Sequence, residues 1–281
     1  MNHRRAKRIP VLLLILLAVA ALLGLCLWQF RFRPANIRHS GSMLRIMLTV
    51  PKSRHEPEAF VRDPATGRMS YATEEGTALT GIDVSHHQQE IDWEAVAADG
   101  IDFAMIRLGY RGYDTGLLNP DRYFEQNMAG AKAAGLKVGV YFYSQALTPE
   151  EAEEEADFVL DTLDGRLLDY PVVFDWETTH PELEPRTLGL SGDGMTRCAQ
   201  AFVDRIREGG YQPMVYFNPR MGYLDYDLGA LAHVPYWLAR YEDTPDFYFD
   251  YDLWQYSHTG TVAGIEGSVD LNLDLRPAKK K

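Results

Sequence analysis

Short apolar runs alternate with segments of helical character from Gly81 onward. The runs are rich in β-branched and aromatic residues, as buried strands are. They lie at residues 81–84, 103–108, 138–143, 172–176, 214–217, 236–239 and 253–256. Strands that alternate with helices indicate parallel pairing, and continuous apolar strands indicate a sheet that is covered on both faces. This pattern predicts an α/β fold, built either as one barrel or as one doubly wound sheet.

One helix has a clear start signal. Thr148 is suited to cap its N-terminus, Pro149 to occupy its first position, and Glu151 to complete a capping box. Apolar residues then recur at helical spacing along one face. We expect the acids within residues 150–155 to form the solvated side and the first turn of this helix, where the helix dipole favours negative charge.

A separate apolar run precedes this body. Residues 11–30 contain one polar side chain, Gln29, and are long enough to span a bilayer as a helix. Four basic residues lie before the run, which keeps that end cytoplasmic. We therefore expect residues 1–10 to be a cytoplasmic basic leader and residues 11–30 to be an uncleaved transmembrane signal-anchor, with everything beyond in the extracytoplasmic space. The alternative is a secreted protein that is cleaved after a secretory signal near Ala20.

The regions that flank the body show no sustained period. We expect residues 31–79 to be an extracytoplasmic stalk, in which residues 60–62 and 69–71 could pair as a small hairpin across the turn at 63–67. Residues 80–276 would form the folded body, and residues 277–281 a basic tail.

Composition narrows the classes of function. The formal net charge is −12, but residues 1–40 hold seven of the 28 Lys and Arg and no Asp or Glu. The remainder carries 21 Lys and Arg against 40 Asp and Glu, a formal charge of −19, which disfavours nucleic-acid binding. Cys26 and Cys198 match no metal-ligand spacing and form no disulfide framework.

Acidic residues fall at the carboxyl ends of the predicted strands, where an α/β barrel places its chemistry. They are Asp83, Asp175, Glu177 and Asp270. Asp175 and Glu177 follow a buried apolar run and, at i and i+2 on a strand, project from the same face. Two close carboxyl groups raise the proton affinity of one member, which provides the acid needed to break a glycosidic bond.

Aromatic and amide side chains near the same strand ends favour a sugar ligand, because pyranose faces are apolar and stack on flat rings. The candidate substrate-binding residues are Tyr141, Tyr143, Tyr216, Asn218, Trp237 and Tyr241.

Seven sequence blocks stand out over residues 80–276. They are GIDVSHHQ at 81–88, IDW at 91–93, FAMIR at 103–107, GLKVGVY at 135–141, PVVFDWE at 171–177, LWQYS at 253–257 and VDLN at 269–272. In sequence and in order, these blocks resemble glycoside hydrolase family 25, the Chalaropsis-type lysozymes or N-acetylmuramidases.

The resemblance implies a modified TIM-like (β/α)5(β)3 barrel that cleaves the β-1,4 bond between N-acetylmuramic acid and N-acetylglucosamine in peptidoglycan. By matching position, Glu177 would be the general acid and Asp175 would orient the substrate's acetamido group or stabilise the charged intermediate. Asp83 and Asp270 would complete the acidic cluster. Retaining, inverting and substrate-assisted routes remain open. No cofactor or metal is implied, and we expect a monomer whose partners are glycan strands and, through residues 11–30, the cytoplasmic membrane.

Two other functions are open to the residues. Asp83 with His86 and His87 could hold the divalent ion of a polysaccharide deacetylase, although adjacent strand residues point to opposite faces. A catalytically silent wall-binding module is the second alternative; it predicts the loss of at least one of the four carboxylates, all of which are present.

Overall fold

Eight strands close into a β-barrel in the computed structural model, which describes residue 46 and residues 48–178 and 181–279. The strands of the described chain are β1 (Phe60–Arg62), β2 (Met69–Thr73), β3 (Gly76–Thr77), β4 (Leu79–Val84), β5 (Phe103–Arg111), β6 (Leu118–Pro120), β7 (Lys137–Ser144), β8 (Val172–Trp176), β9 (Pro213–Phe217), β10 (Tyr236–Ala239), β11 (Leu253–Gly260) and β12 (Val269–Asp274). The barrel order is β4-β5-β7-β8-β9-β10-β11-β12, and β12 pairs back with β4. This closure excludes the doubly wound sheet.

The α-helices of the barrel are α1 (Trp93–Ala98), α2 (Phe124–Ala133), α3 (Pro149–Leu163), α4 (Gly192–Glu208) and α5 (Pro219–Leu224). Each follows one of the first five barrel strands, whereas the described chain has no α-helix after β10, β11 or β12. Neighbouring barrel strands from β4 through β11 are parallel, and β12 is antiparallel to both of its neighbours. The architecture agrees with five strand–helix units followed by three further strands.

The barrel interior is filled by side chains from alternate strand positions. At the amino ends of the strands, the rings of Phe103 and Tyr170 stack with their centroids 4.5 Å apart. Met105, Val173 and Met214 are fully buried in the same core. Because these residues fill the barrel interior at the amino ends of the strands, the interior opens into a cleft at the carboxyl ends.

Helix α3 begins as the sequence predicts, with one difference. Thr148 Oγ1 accepts a hydrogen bond from the main-chain N–H of Glu151. Glu151 does not close the capping box; its carboxylate accepts instead from the N–H of Leu147 at 2.8 Å and is bonded by Arg186. The prediction that all the acids of this segment face solvent is wrong for Glu155, which is fully buried and pairs with Arg111 at 2.7 Å.

The structure differs from the irregular stalk expected over residues 31–79. Strands β1 and β2 form the predicted hairpin, β3 extends it, and the small sheet packs on the barrel. Phe60 contacts Trp254 with the ring centroids 5.0 Å apart, and Tyr71 is 1% exposed. The physical reason is that no helix follows β11, so its outward-facing Trp254 needs another cover.

The end of the described chain is also packed. Residues Arg276–Ala278 form a 3-10 turn, and Thr73 Oγ1 donates to the carbonyl oxygen of Ala278 at 2.8 Å. Lys279 pairs with Asp250 at 3.0 Å and with Asp252. The described part of the expected basic tail is therefore anchored to the body.

The basic leader and the transmembrane signal-anchor predicted for residues 1–30 lie outside the described residues. None of the helices in the described part of the chain combines the length and the apolarity that crossing a bilayer requires.

Candidate active site

An open cleft of about 430 Å³ lies at the carboxyl ends of the parallel barrel strands. Nine of the ten predicted site residues line it. They are the acids Asp83, Asp175, Glu177 and Asp270 and the aromatic residues Tyr141, Tyr143, Tyr216, Trp237 and Tyr241. The strands bring these residues together because side chains at alternate positions of every barrel strand point inward.

Asp83 and Asp270 are direct partners in the antiparallel ladder between β4 and β12. Asp83 is buried, and its Oδ2 accepts hydrogen bonds from Gln255 Nε2 at 2.9 Å and from Asn272 Nδ2 at 2.8 Å. Burial and the charge of Asp270 raise the pKa of Asp83 well above its ordinary value, and the two amide bonds oppose the rise. Burial also raises the pKa of Asp270, and the hydrogen bond between Asp270 and Asp83 opposes that rise. The two carboxyl groups therefore compete for one proton.

Asp175 and Glu177 form the second acidic pair, at the end of β8 and just beyond it. Burial and the charges of Glu177 and Asp83 raise the pKa of Asp175 well above its ordinary value. Burial raises the pKa of Glu177 to about 7, the charge of Asp83 adds to the rise, and a hydrogen bond with Asp175 opposes it. A carboxyl group with a pKa near neutrality can both donate and accept a proton in one catalytic cycle. Within the described chain, Asp175 Oδ1 is buried without a hydrogen-bond partner.

Aromatic rings form a wall of the cleft beside the acids. The ring of Trp237 meets Tyr216 edge to face with the centroids 5.0 Å apart, and Tyr141 in the same way at 6.2 Å. These three side chains are largely buried, whereas Tyr143 is half-buried and Tyr241 is 47% exposed at the rim. A flat apolar wall of this kind suits the face of a pyranose ring, and the hydroxyl groups at its edge suit the sugar's polar groups.

Two buried amides, which the sequence analysis did not single out, connect the acids to the aromatic wall. Gln255 donates to Asp83 and accepts from the hydroxyl of Tyr216 at 2.9 Å. Asn272 donates to Asp83 and accepts from Trp237 Nε1 at 2.8 Å. The sequence could have indicated Gln255 and Asn272, because each is a polar residue inside an otherwise apolar strand. A polar side chain at such a position requires a buried hydrogen-bond partner.

Arg107 on β5 is a further residue of the cleft that sequence reasoning missed. Its Nε donates to Asp121 Oδ2 at 2.9 Å, and its Nη2 lies 2.8 Å from the same oxygen. Its charge lowers the pKa of Asp175 and thereby opposes part of the effect of burial. The signal was an arginine that ends an apolar run, because a buried cation requires a nearby acid.

Asn218 is placed differently from the prediction. It follows β9, as expected, but its Oδ1 accepts from the N–H of Met221 at 3.0 Å and caps the first turn of α5. Asn218 does not line the cleft, and the role that the structure gives it is helix capping.

The two histidines that suggested a metal site, His86 and His87, have different surroundings. Their rings pack against each other with the centroids 4.2 Å apart, but only His87 lines the cleft. His86 Nδ1 lies 3.2 Å from Asp121 Oδ2 and also contacts the guanidinium of Arg107, whose charge opposes binding of a cation there. Among residues 48–178 and 181–279, no three His, Cys, Asp or Glu side chains are grouped to hold one metal ion.

Comparison with known proteins places the sequence in one enzyme family. The model for glycosyl hydrolases family 25 matches residues 82–265. The autolytic lysozyme of Clostridium acetobutylicum is 31% identical over 195 residues, which cover 69% of this chain and 55% of that protein. The chain thus spans little more than half the length of that relative.

Solved structures share the fold. The modular autolysin LytC of Streptococcus pneumoniae, in complex with a synthetic peptidoglycan ligand, superposes with a TM-score of 0.63 at 24% identity and covers 76% of this chain and 52% of its own. The bacterial lysozyme of Streptomyces coelicolor superposes with a TM-score of 0.55 at 26% identity, over 69% of this chain and 90% of its own. Because the family model matches well over half of the sequence, this chain belongs to glycosyl hydrolases family 25.

Proposed function

We propose that this protein is a muramidase, which cleaves the β-1,4 bond between N-acetylmuramic acid and N-acetylglucosamine in peptidoglycan. The observation that carries the proposal is the pair formed by Asp175 and Glu177 beside an aromatic wall, in a cleft that holds two further acids. The lysozymes among the chain's relatives support peptidoglycan as the substrate.

The proposed reaction begins with Glu177 in its protonated form. Its carboxyl group donates the proton to the glycosidic oxygen as the bond from C1 of the muramic acid breaks, and the bonding electrons remain on that oxygen. Positive charge develops on the muramic acid ring, where the negative cluster around Asp83 stabilises it. Water then adds at C1 and returns a proton to Glu177.

Asp175 would act on the substrate's acetamido group. Its carboxyl group lines the cleft and is suited to hydrogen bond with the acetamido N–H, which orients that group toward C1. The pyranose ring would meanwhile pack against Tyr216 and Trp237.

Product analysis tests this proposal. The full-length protein is incubated with purified peptidoglycan, the new reducing ends are reduced with borohydride, and the glycan is hydrolysed. A muramidase yields the alcohol of muramic acid, because cleavage leaves muramic acid at the reducing end. Recovery of only the alcohol of glucosamine would show that the other glycosidic bond is cut and would contradict the proposal.

The deacetylase alternative is tested by the same incubation in EDTA. The glycosidase should release reducing ends at an unchanged rate, whereas a metal-dependent deacetylase should lose its release of acetate. A wall-binding module would sediment with peptidoglycan without releasing either product.

We further propose that residues 11–30 hold the protein in the cytoplasmic membrane with the enzyme domain outside it. The length of the apolar run and the basic residues before it support this placement. Fractionation tests it: full-length protein in the membrane fraction is expected, and a shortened protein in the medium would contradict the anchor.

A further inference from the structure

The main chain of Glu177 lies just beyond the end of the sheet. The ladder between β7 and β8 ends with the pair Ser144 and Trp176, and the ladder between β8 and β9 ends with Asp175 and Tyr216. Sheet pairing therefore does not hold the carbonyl group of Glu177. A side chain does so instead: Gln145, the first residue after β7, donates from Nε2 to the carbonyl oxygen of Glu177 at 3.1 Å.

The orientation of the Gln145 amide is fixed at both ends. The residue is fully buried, and Nε2 also donates to the carbonyl oxygen of Ser144 at 2.8 Å. Its Oε1 accepts from the hydroxyl of Thr187 at 3.2 Å. Rotating the amide by half a turn would turn Oε1 toward two carbonyl oxygens, which cannot donate to it. Only the observed orientation therefore satisfies all three bonds.

The backbone of Gln145 is held as firmly as its side chain. Its N–H donates to the carboxylate of Glu155, which also pairs with Arg111. Its carbonyl oxygen accepts from Arg186 Nη1 at 3.2 Å.

Arg186 and Thr187 belong to the segment that follows Glu177, so this network joins that segment to the rest of the barrel. The guanidinium of Arg186 bonds both carboxylate oxygens of Glu151 on α3, at 3.0 and 2.5 Å. Such a two-pronged pair fixes direction as well as distance.

We propose that Gln145 is a positioning residue for the acid Glu177, and that Thr187 holds Gln145 in place through its Oε1. The inference rests on the proposed function, in which Glu177 must reach the glycosidic oxygen. The direction of a side chain follows from its own backbone, and small misplacements of a catalytic group cost large factors in rate. The hydrogen bond from Gln145 thus replaces the ladder bond that the sheet does not supply.

Two pairs of variants test the inference on the full-length protein. Gln145→Met keeps the length of the side chain and removes its hydrogen bonds, whereas Gln145→Glu keeps the acceptor and loses the donor when ionised. Thr187→Val removes the hydroxyl, and Thr187→Ser retains it as the matched control.

We expect Gln145→Met to lower kcat by about tenfold to a hundredfold and to change KM by less than about twofold. Thr187→Val should lower kcat by a smaller factor, and Thr187→Ser should restore it to the wild-type value. The hydrogen bond with Asp175 lowers the pKa of Glu177. If Gln145→Met displaces Glu177, this hydrogen bond is lost and the pKa of Glu177 rises. The basic limb of the kcat profile should then move to higher pH, a change that a merely structural role would not produce.

All rates are measured well below the Tm of each variant. The inference is overturned if Gln145→Met and Thr187→Val retain wild-type kcat and pH profiles while Glu177→Gln is inactive. It is also overturned if their activity falls only in proportion to the unfolded fraction. Should Gln145→Met fail to fold, the comparison of Thr187→Val with Thr187→Ser still decides. A wild-type protein that releases no reducing ends would instead reject the proposed function, and this inference with it.

Discussion

Asp83 on β4 and Asp270 on β12 face each other across the ladder that closes the barrel. One lies on the first barrel strand and the other on the last, so the acidic cluster is complete only when the chain has closed on itself. The charge of Asp270 raises the pKa of Asp83, and the charge of Asp83 raises the pKa of Glu177. Barrel closure is therefore linked to the protonation of the acid.

The pH dependence of the reaction should follow from Glu177. Its pKa is raised to about 7 and it must be protonated to act, so kcat/KM should fall as the pH rises through about 7. The charge of Asp83 contributes to this high pKa. Asp83→Asn should therefore move the basic limb to lower pH and lower kcat by about tenfold to a hundredfold.

The measurement is a pH profile of reducing-end release for the wild type and Asp83→Asn. Glu266→Gln, which removes an exposed acid outside the cleft, is the control and should leave the limb in place. A limb that moves to higher pH in Asp83→Asn would contradict the electrostatic account.

The small N-terminal sheet should contribute to the stability of the barrel. Tyr71 is buried between this sheet and the body, whereas Val61 on the neighbouring strand is 57% exposed. We expect Tyr71→Ala to lower the free energy of unfolding by about 3 kcal/mol and Val61→Ala by less than about 0.5 kcal/mol. Urea unfolding of both variants measures the difference, and equal effects would mean that the sheet is not a structural part of the body.

The buried pair of Glu155 and Arg111 offers a second matched comparison. Arg111 also lies 3.2 Å from Glu154, but the side chain of Glu154 is 64% exposed and that of Glu155 is buried. Glu155→Ala leaves a buried cation without its main partner and should cost about 3 kcal/mol of unfolding free energy. Glu154→Ala should cost less than about 1 kcal/mol. The ranking fails if chemical denaturation finds Glu154→Ala the more damaging.

The burial of Glu155 also makes this contribution depend on pH. Burial raises its pKa from 4.5 to about 7 in the folded protein. A raised folded-state pKa gives stability that is fully present below the unfolded value and is lost as the pH rises through the folded value. The contribution from this titration should therefore decline between about pH 4.5 and pH 7 in the wild type and be absent from Glu155→Gln.

Variants of Asn218 test whether this residue stabilises the fold or binds substrate. As an N-cap it should matter for stability, so Asn218→Ala is expected to lower the unfolding free energy by about 1 kcal/mol. The KM of Asn218→Ala for peptidoglycan should remain at the wild-type value. Asn218→Ser should restore the N-cap and with it the unfolding free energy. A large rise in KM with unchanged stability would return Asn218 to the substrate site.

The barrel and its acids could be predicted because their signals are local. The runs that became β8 and β10 were predicted with the bounds that the structure shows. The spacing of Asp175 and Glu177 predicted that both acids share one site, and both line the cleft, although Glu177 lies one residue beyond β8. The helix-capping role of Asn218 could not be distinguished from sugar binding in the sequence, because the same residue type serves both roles after a strand.

The remaining features depend on contacts between distant segments. Glu155 resembles its solvated neighbours in sequence, and only the approach of Arg111 from β5 makes its burial possible. The packing of residues 60–77 became necessary because no helix covers the outward face of β11, which no property of residues 60–77 reveals. Gln145 is likewise defined by its partners Glu177 and Thr187, which lie more than thirty residues away.

Glu177 is proposed to be the acid that cleaves the glycan. The most direct measurement is the initial rate at which full-length wild type and Glu177→Gln release reducing muramic acid from purified peptidoglycan below pH 7. Glu182→Gln, which alters an exposed acid a few residues away, serves as the control. We predict that Glu177→Gln loses about a hundredfold or more of the rate while Glu182→Gln retains it. Release by Glu177→Gln at the wild-type rate would contradict the account.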